Sequence, residues 1–158
     1  MPFDSGRSIG SIGEKRLIKE FIRPLFDGDH ATTFLGNDCG VLDIGSGNDS
    51  VVSTDRVPAD IIAFRLRVIG YSGLGAYLAV LNLSDLSAAG AAPIGLLLNL
   101  GLPPTLKFGE LSAFCTQFKV TVEGYNGRVL GGDITASSEL SVSASAIGSV
   151  PRGAALSR

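Results

Sequence analysis

Asn82-Leu83-Ser84-Asp85-Leu86-Ser87-Ala88-Ala89-Gly90-Ala91 sets one acid inside an otherwise apolar run that begins near Leu74. Apolar residues occupy nearly every side of this run, which predicts a buried helix ending at Gly90. A carboxylate in a buried helix needs a cation or a set of hydrogen-bond donors. No Lys or Arg lies between Arg67 and Lys107, so the partner of Asp85 has to come from another part of the chain.

Three further acid motifs stand beside glycines or at the ends of predicted strands: Gly36-Asn37-Asp38, Ser53-Thr54-Asp55 and Gly131-Gly132-Asp133. Taken singly, each motif is explained by an ordinary turn or a helix cap. Taken together, four carboxylates that converge on metal ions would account for the acid in the apolar helix. At the last motif, two glycines let the backbone approach a phosphate closely, and the acid would hold the accompanying metal.

The residue types favour a hard metal ion. Carboxylates and hydroxyls without a histidine cluster indicate Mg²⁺ rather than zinc. His30 is the single histidine, and a solvated surface position explains it better than a catalytic role. The chain has no P-loop motif, so a nucleotide would be held by metal ions and glycine backbone rather than by a P-loop lysine.

Composition places the chain among globular proteins of one domain. Its 158 residues can bury a core, and 45% of them are hydrophobic. The net charge of -2 argues against a nucleic-acid surface, which needs clustered basic residues. Cys39 and Cys115 are interpreted as small apolar side chains, not as a disulfide. Since we find no signal peptide and no membrane-length apolar run, we expect a soluble cytoplasmic protein without a membrane partner.

Periodicity predicts an α+β fold in which helices pack on one face of a mixed or antiparallel sheet. Residues 1–12 are expected to form a flexible arm, and residues 13–158 a single domain without internal repeats. The predicted elements are a helix from Leu17 to Phe26, strands at Gly40–Ile44, Ser50–Thr54 and Ile61–Val68, the buried helix, a strand at Ile94–Leu102, a helix at Lys107–Glu123, and strands at Arg128–Leu130 and Glu139–Val150.

The four acid motifs, together with the stretch Gly148-Ser149-Val150-Pro151-Arg152-Gly153, resemble in content and order the N-terminal part of the thiamine-monophosphate kinase family. That family lies within the ATP-binding superfamily of aminoimidazole ribonucleotide synthetase. The resemblance extends over nearly the whole chain from Gly13 onward. The long motif around Asp85 is its most specific element, and Thr135, two residues after Asp133, favours the kinase over its relatives.

The resemblance implies both a site and a reaction. The implied metal ligands, for several Mg²⁺ ions around ATP phosphates, are Asp38, Ser53, Thr54, Asp55, Asp85 and Asp133. The implied nucleotide contacts are Gly132, Asp133 and Arg158. The implied reaction is transfer of the γ-phosphoryl group of ATP to thiamine monophosphate, which gives thiamine diphosphate. The family also implies a homodimer formed through the sheet and a second, C-terminal domain that this chain does not contain.

Two other interpretations stay open. The family usually carries a histidine after its Ser-Thr-Asp motif, and Pro58-Ala59-Asp60-Ile61-Ile62 has none. Another ATP-dependent member of the superfamily with a different substrate is therefore one alternative. A dimerising nucleotide-binding domain without catalytic activity is the other.

Overall fold

A computed structural model describes residues 12, 14–17, 19–20, 40–43, 45, 47–58 and 60–157. Of the predicted N-terminal arm, only Ile12 is among them, and it is buried. The elements in chain order are α1 (Glu14–Leu17), β1 (Gly40–Asp43), β2 (Asn48–Arg56), α2 (Ile62–Arg65), α3 (Tyr71–Ala88), β3 (Ala92–Leu102), α4 (Phe108–Gly124), β4 (Val129–Ala136) and β5 (Ser141–Pro151).

The strands form one five-stranded mixed sheet in the order β1-β2-β5-β3-β4. β1 and β2 form the predicted antiparallel hairpin, and β2 and β3 both pair antiparallel with β5. β3 and β4 are parallel and are joined through α4, as a parallel pair requires. The predicted α+β class with a mixed sheet is confirmed.

The two faces of the sheet differ sharply. In β5, alternate residues are buried against the helices: Val142, Ala144, Ala146 and Val150. The serines between them occupy the opposite face, where they are only partly covered or exposed. This alternation, which the sequence predicts, belongs to a strand with one face on the core and one open face. The helices α3 and α4 therefore lie on the same side of the sheet.

Helix α3 packs closely against α4 at Gly75. An added Cβ at this position would stand 2.2 Å from the carbonyl oxygen of Phe114. Phe114 and Phe118, which stack on each other, complete this part of the core. Only one side of α3 is covered, because Tyr77 and Val80 are 41% and 45% exposed. The prediction that α3 is buried on all sides is therefore wrong for this side. No helix in the described ranges has both the length and the apolar character to span a bilayer.

The predicted strand at Ile61–Val68 is wrong. Residues 62–65 form a single helical turn instead, and the amides of Phe64 and Arg65 both donate to the carbonyl of Ile61. Ile61 and Phe64, spaced as on a helix, pack against the core, and Phe64 meets the ring of Tyr71 edge-on. The alternation of apolar and basic residues is short enough to fit either structure, and β2 already has β1 and β5 beside it.

The close approach at Gly75 gives a stability prediction. Gly75→Ala should lower the free energy of unfolding by about 1–3 kcal/mol, because the new methyl group overlaps the backbone of α4. Gly109→Ala is the matched control, since an added Cβ in this part of α4 meets nothing within 4 Å. The control should be neutral, or more stable by up to about 1 kcal/mol. Urea unfolding of the parent and of the two variants measures these free energies, and equal stability of both variants would contradict the packing of α3 on α4.

Candidate functional site

Asp85 finds its partner on β2. The hydroxyl of Ser53 donates a hydrogen bond to Asp85 Oδ2 over 2.5 Å, and both residues are half-buried. Such a short bond is typical of a hydroxyl that donates to a charged carboxylate. A hydroxyl that lies 32 positions before Asp85 in the chain is thus one partner of this acid, and it comes from another element, as the sequence requires.

Asn82 makes a second connection between α3 and β2, one helical turn before Asp85. Its side chain is fully buried. Nδ2 donates to the carbonyl of Leu78 over 3.0 Å, and Oδ1 accepts from the backbone amide of Asp55 over 3.2 Å. Asn82 opens the longest of the sequence motifs, from which no role was predicted for it. A buried amide three residues before the acid was the available signal.

The spacing in both elements explains why these four residues meet. Residues three apart on a helix lie on one face, which brings Asn82 and Asp85 together. Residues two apart on a strand point to the same face, which brings Ser53 and Asp55 together. The two connections therefore join one face of α3, which carries Asp85, to the helix-facing side of β2, which carries Asp55.

Thr54 lies between Ser53 and Asp55, and its side chain is on the open face of the sheet. Its hydroxyl donates to the carbonyl of Ala144 over 3.0 Å and accepts from the hydroxyl of Ser145 over 3.1 Å. The hydroxyls of Ser53 and Thr54 thus lie on opposite faces of β2. Of the Ser-Thr-Asp motif, only the first and third side chains share the side of the sheet that Asp85 faces.

The Gly-Gly-Asp motif lies inside β4, so the prediction that a strand ends before it is wrong. The pairing of β4 with β3 skips Leu130, which leaves a bulge directly before the motif. Gly131 and Gly132 have φ angles of 148° and 155°, which residues with side chains rarely adopt. An added Cβ at Gly132 would stand 1.7 Å from the carbonyl oxygen of Leu98. Both glycines are needed for the strand to continue.

Asp133 is distant from the pair formed by Asp55 and Asp85. It pairs with Asn99, in a row that runs through Ser143 to Arg56. Three strand spacings separate β2 from β4, or about 14 Å at about 4.8 Å each. One Mg²⁺ ion with ligands at about 2.1 Å cannot bridge that distance. In the described ranges, no three His, Cys, Asp or Glu residues lie close enough to hold a metal ion.

Asp38 and Arg158, two of the residues that the resemblance implies, lie outside the described residues, as does Cys39. Cys115 lines a groove of about 460 Å³ between α4 and β4, which also exposes the backbone of Gly131 and Gly132. Burial raises the pKa of the Cys115 thiol. The thiol therefore stays protonated at neutral pH and is a poor nucleophile.

The donor chemistry on β2 and α3 fits Mg²⁺. Two carboxylates, Asp55 and Asp85, and the hydroxyl of Ser53 are hard oxygen donors, and the structure places all three on one side of the sheet. In the contacts described above, the carboxylate of Asp85 accepts from the hydroxyl of Ser53, and the backbone of Asp55 is held by Asn82. Mg²⁺ is commonly bound by one or two carboxylates and completes its shell with water and substrate phosphates. The described residues therefore suit an ion shared with a phosphate.

Residues 36–150 match the family described as AIR synthase related protein, N-terminal domain. The chain belongs to this family. It is 30% identical over 144 residues to the thiamine-monophosphate kinase of Synechococcus elongatus, an alignment that covers 91% of this chain and 42% of that protein. It is 34% identical over 126 residues to the thiamine-monophosphate kinase of Salmonella typhimurium, covering 80% and 38% of the two chains.

Among solved structures, AaThiL complexed with AMPPCP and TMP has the same fold as this AIR synthase related domain. The superposition gives a TM-score of 0.83, covers 98% of this chain and 47% of that chain, and has 23% sequence identity. The chain spans about two fifths of the length of the two curated relatives named above. The resemblance seen in the motifs is thus confirmed at the level of the family and the fold.

The backbone of β4 gives a second stability prediction. Gly132→Ala should lower the free energy of unfolding by more than about 3 kcal/mol, because strain in φ adds to a clash with the backbone of β3. Gly131→Ala is the matched variant, since its added Cβ meets only Leu97, at 3.9 Å. The strain in φ alone should cost it about 1–3 kcal/mol. Thermal or urea unfolding measures both, and an equal loss in the two variants would contradict the clash.

Proposed function

We propose that this chain is the nucleotide- and metal-binding part of an ATP- and Mg²⁺-dependent phosphotransferase that converts thiamine monophosphate to thiamine diphosphate. The observation that carries the proposal is the pair of hydrogen bonds that join Asp85 to Ser53 and Asn82 to the backbone of Asp55, in a domain whose curated relatives are named thiamine-monophosphate kinase. The complex of AaThiL with AMPPCP and TMP, an ATP analogue and a thiamine phosphate, supports the same pair of substrates.

The lengths of the relatives bear on the domain organisation. We propose that residues 13–158 form the N-terminal domain of the enzyme and that a second domain of the relatives' kind completes the nucleotide and substrate sites. The alignments that cover about two fifths of those relatives support this division. We also propose that the enzyme works in the cytoplasm, where the biosynthetic substrates and free ATP occur together.

The proposed ligands fall into two groups. Ser53, Asp55 and Asp85 would hold Mg²⁺ on the helix-facing side of β2, and Asp133 would hold a separate ion at β4, three strands away. Thr54 would contribute from the open face of the sheet. Asp38 would complete the set. Gly132, Asp133 and Arg158 are proposed to contact the nucleotide.

The chemistry joins two anions, so control of charge is the main requirement. Mg²⁺, when bound, neutralises phosphate oxygens and orients the transferred group for in-line displacement. The carboxylates of Asp55 and Asp85 supply the negative charge that fixes cations at one position. Gly131 presents backbone without a side chain, and because only Leu97 lies near, phosphate oxygens would be able to approach the strand there. At Gly132 the place of a side chain is taken by the backbone of β3. No side chain among these residues has to act as a nucleophile.

The product distinguishes this reaction from that of another superfamily member. Incubation of this chain, joined to the proposed second domain, with ATP, Mg²⁺ and thiamine monophosphate should yield thiamine diphosphate. Release of phosphate that depends on a different acceptor would instead support the related enzyme, a reading that the histidine-free segment Pro58–Ile62 keeps open. Binding of ATP by the same two-domain protein without any turnover would support the dimerising nucleotide-binding domain.

Asp85→Asn tests the metal site directly. We expect the variant to lose Mg²⁺-dependent ATP binding, because a neutral amide is a poor ligand for a hard cation. Without metal, its free energy of unfolding should stay within about 1 kcal/mol of the parent, since Asn still offers Ser53 an acceptor oxygen. The measurements are calorimetric titration with ATP and Mg²⁺, and thermal melting with and without both.

Glu123→Gln is the matched control for Asp85→Asn. Its carboxylate lies on α4, where it forms an exposed ion pair with Lys119, outside the proposed site. The control should bind Mg²⁺ and ATP like the parent protein. Loss of metal-free stability in Asp85→Asn together with unchanged ATP binding would show that Asp85 is a structural acid and not a ligand.

We propose a homodimer that forms through the open face of the sheet. That face carries serines of β5 and apolar residues of β3, among them Leu97, which is 37% exposed. Of the predicted strands Ile61–Val68 and Glu139–Val150, only the second contributes a strand to this face, because residues 61–68 form a helical turn and loop. Sedimentation should give a dimer at micromolar concentration, and a stable monomer there would contradict the proposal.

A further inference from the structure

Asn82 is an unusual residue for its surroundings. It is fully buried in an apolar helix, and its neighbours in the core include Leu78, Leu83 and Leu86. A buried amide stabilises a fold less well than an apolar side chain unless its hydrogen bonds are made. Here both polar groups of the amide are used, one within α3 and one on the backbone of β2. The packing of α3 in the core does not by itself require the bond between Asn82 and β2.

The second bond acts at the residue that matters most for the proposed metal site. Oδ1 of Asn82 accepts from the backbone amide of Asp55, and therefore holds the main chain from which that carboxylate projects. Because Nδ2 is engaged with the carbonyl of Leu78, the amide group cannot rotate freely. The helix thus fixes the position of Asp55 through a side chain that is itself fixed.

The two connections between α3 and β2 would respond differently to a metal ion. The bond between Ser53 and Asp85 uses two groups that are proposed ligands, so a bound ion would compete for it. The bond between Asn82 and Asp55 uses an amide oxygen and a backbone N–H that lie outside the proposed ligand set. It can persist with and without the ion.

We infer that Asn82 is a positioning residue of the metal site: its buried amide holds the backbone of Asp55 at a fixed place beside Asp85. The expected effect on Mg²⁺ affinity rests on the proposed function. The expected effect on the backbone of Asp55 rests on the hydrogen bond alone. Groups that orient metal ligands typically change metal affinity by about 10–100-fold when they are removed.

The test compares Asn82→Leu, which keeps the number of side-chain heavy atoms, with the parent protein. Amide hydrogen exchange should become at least about tenfold faster at Asp55. The amide of Val57, which donates to Val142 in the sheet, should keep its protection and serves as the internal reference. The Mg²⁺ dissociation constant, measured by calorimetry with the metal alone, should rise at least about tenfold. Asn82→Ala repeats both measurements if the leucine does not fit.

Leu74→Val is the control for a purely structural effect, because this residue is 2% exposed on the same helix and has no proposed role in the site. It should lower the melting temperature without changing Mg²⁺ affinity or the relative exchange at Asp55. Unchanged exchange at Asp55 in both Asn82 variants would overturn the inference. Equal loss of Mg²⁺ affinity in Leu74→Val would overturn it as well. If the parent binds no Mg²⁺, the proposed function fails for this chain, and the exchange at Asp55 still decides the positioning role.

Discussion

Two hydrogen bonds hold α3 to β2, and the arrangement of the candidate site depends on them. The helix carries few polar groups, and apolar packing is non-directional, so burial alone would allow it to rotate or slide over the sheet. The amide of Asn82 and the carboxylate of Asp85 are directional groups spaced by almost one helical turn. Because they bond to residues two apart on β2, they fix both the rotation and the position of the helix. This constraint determines where Asp85 on α3 lies relative to Asp55 on β2.

A different constraint governs the opposite part of the sheet. In β4, the bulge at Leu130 and the backbone angles of Gly131 and Gly132 let the strand pair with β3 at a distance that excludes any side chain. Strained backbone of this kind is found where the surrounding structure imposes it, and often at ligand sites. The proposed oxygen ligands on β2 and the glycine backbone of β4 are separated by three strand spacings. The two parts of the site therefore differ in chemistry as well as in place.

Long periodic segments could be predicted from the sequence, because the pattern of burial repeats often enough to have one explanation. This holds for α3, α4 and β5. It fails at residues 61–68, where four apolar residues fit a strand and a helical turn equally well. Prediction also fails at Gly131-Gly132-Asp133, because two glycines in a row usually end a strand. Here the strand continues, and β3 lies so close to it that a side chain at Gly132 would not fit.

In the candidate site, the residue types were predictable and their grouping was not. The acids and the Ser-Thr-Asp motif were recognised, but the face on which each side chain lies depends on pairing between distant strands. Thr54 bonds to Ser145, which follows it by 91 residues. The partner of Asp55 is the amide of Asn82, a contact that only the register between α3 and β2 defines. Such register is a property of the folded chain and has no local signal.

The order of the strands has a consequence for how the site can arise during synthesis. Within the described residues, β1 pairs with β2 only as far as Val52, and the part of β2 that carries Ser53 and Asp55 pairs with β5 alone. β5 is the last strand along the chain, so a nascent chain that has not yet released residues 141–151 has no partner for this part of β2. Contacts between such distant segments form late and slowly. The proposed metal site is therefore complete only after β5 has joined the sheet, so that an ion bound there would stabilise the finished domain and would not guide its early folding.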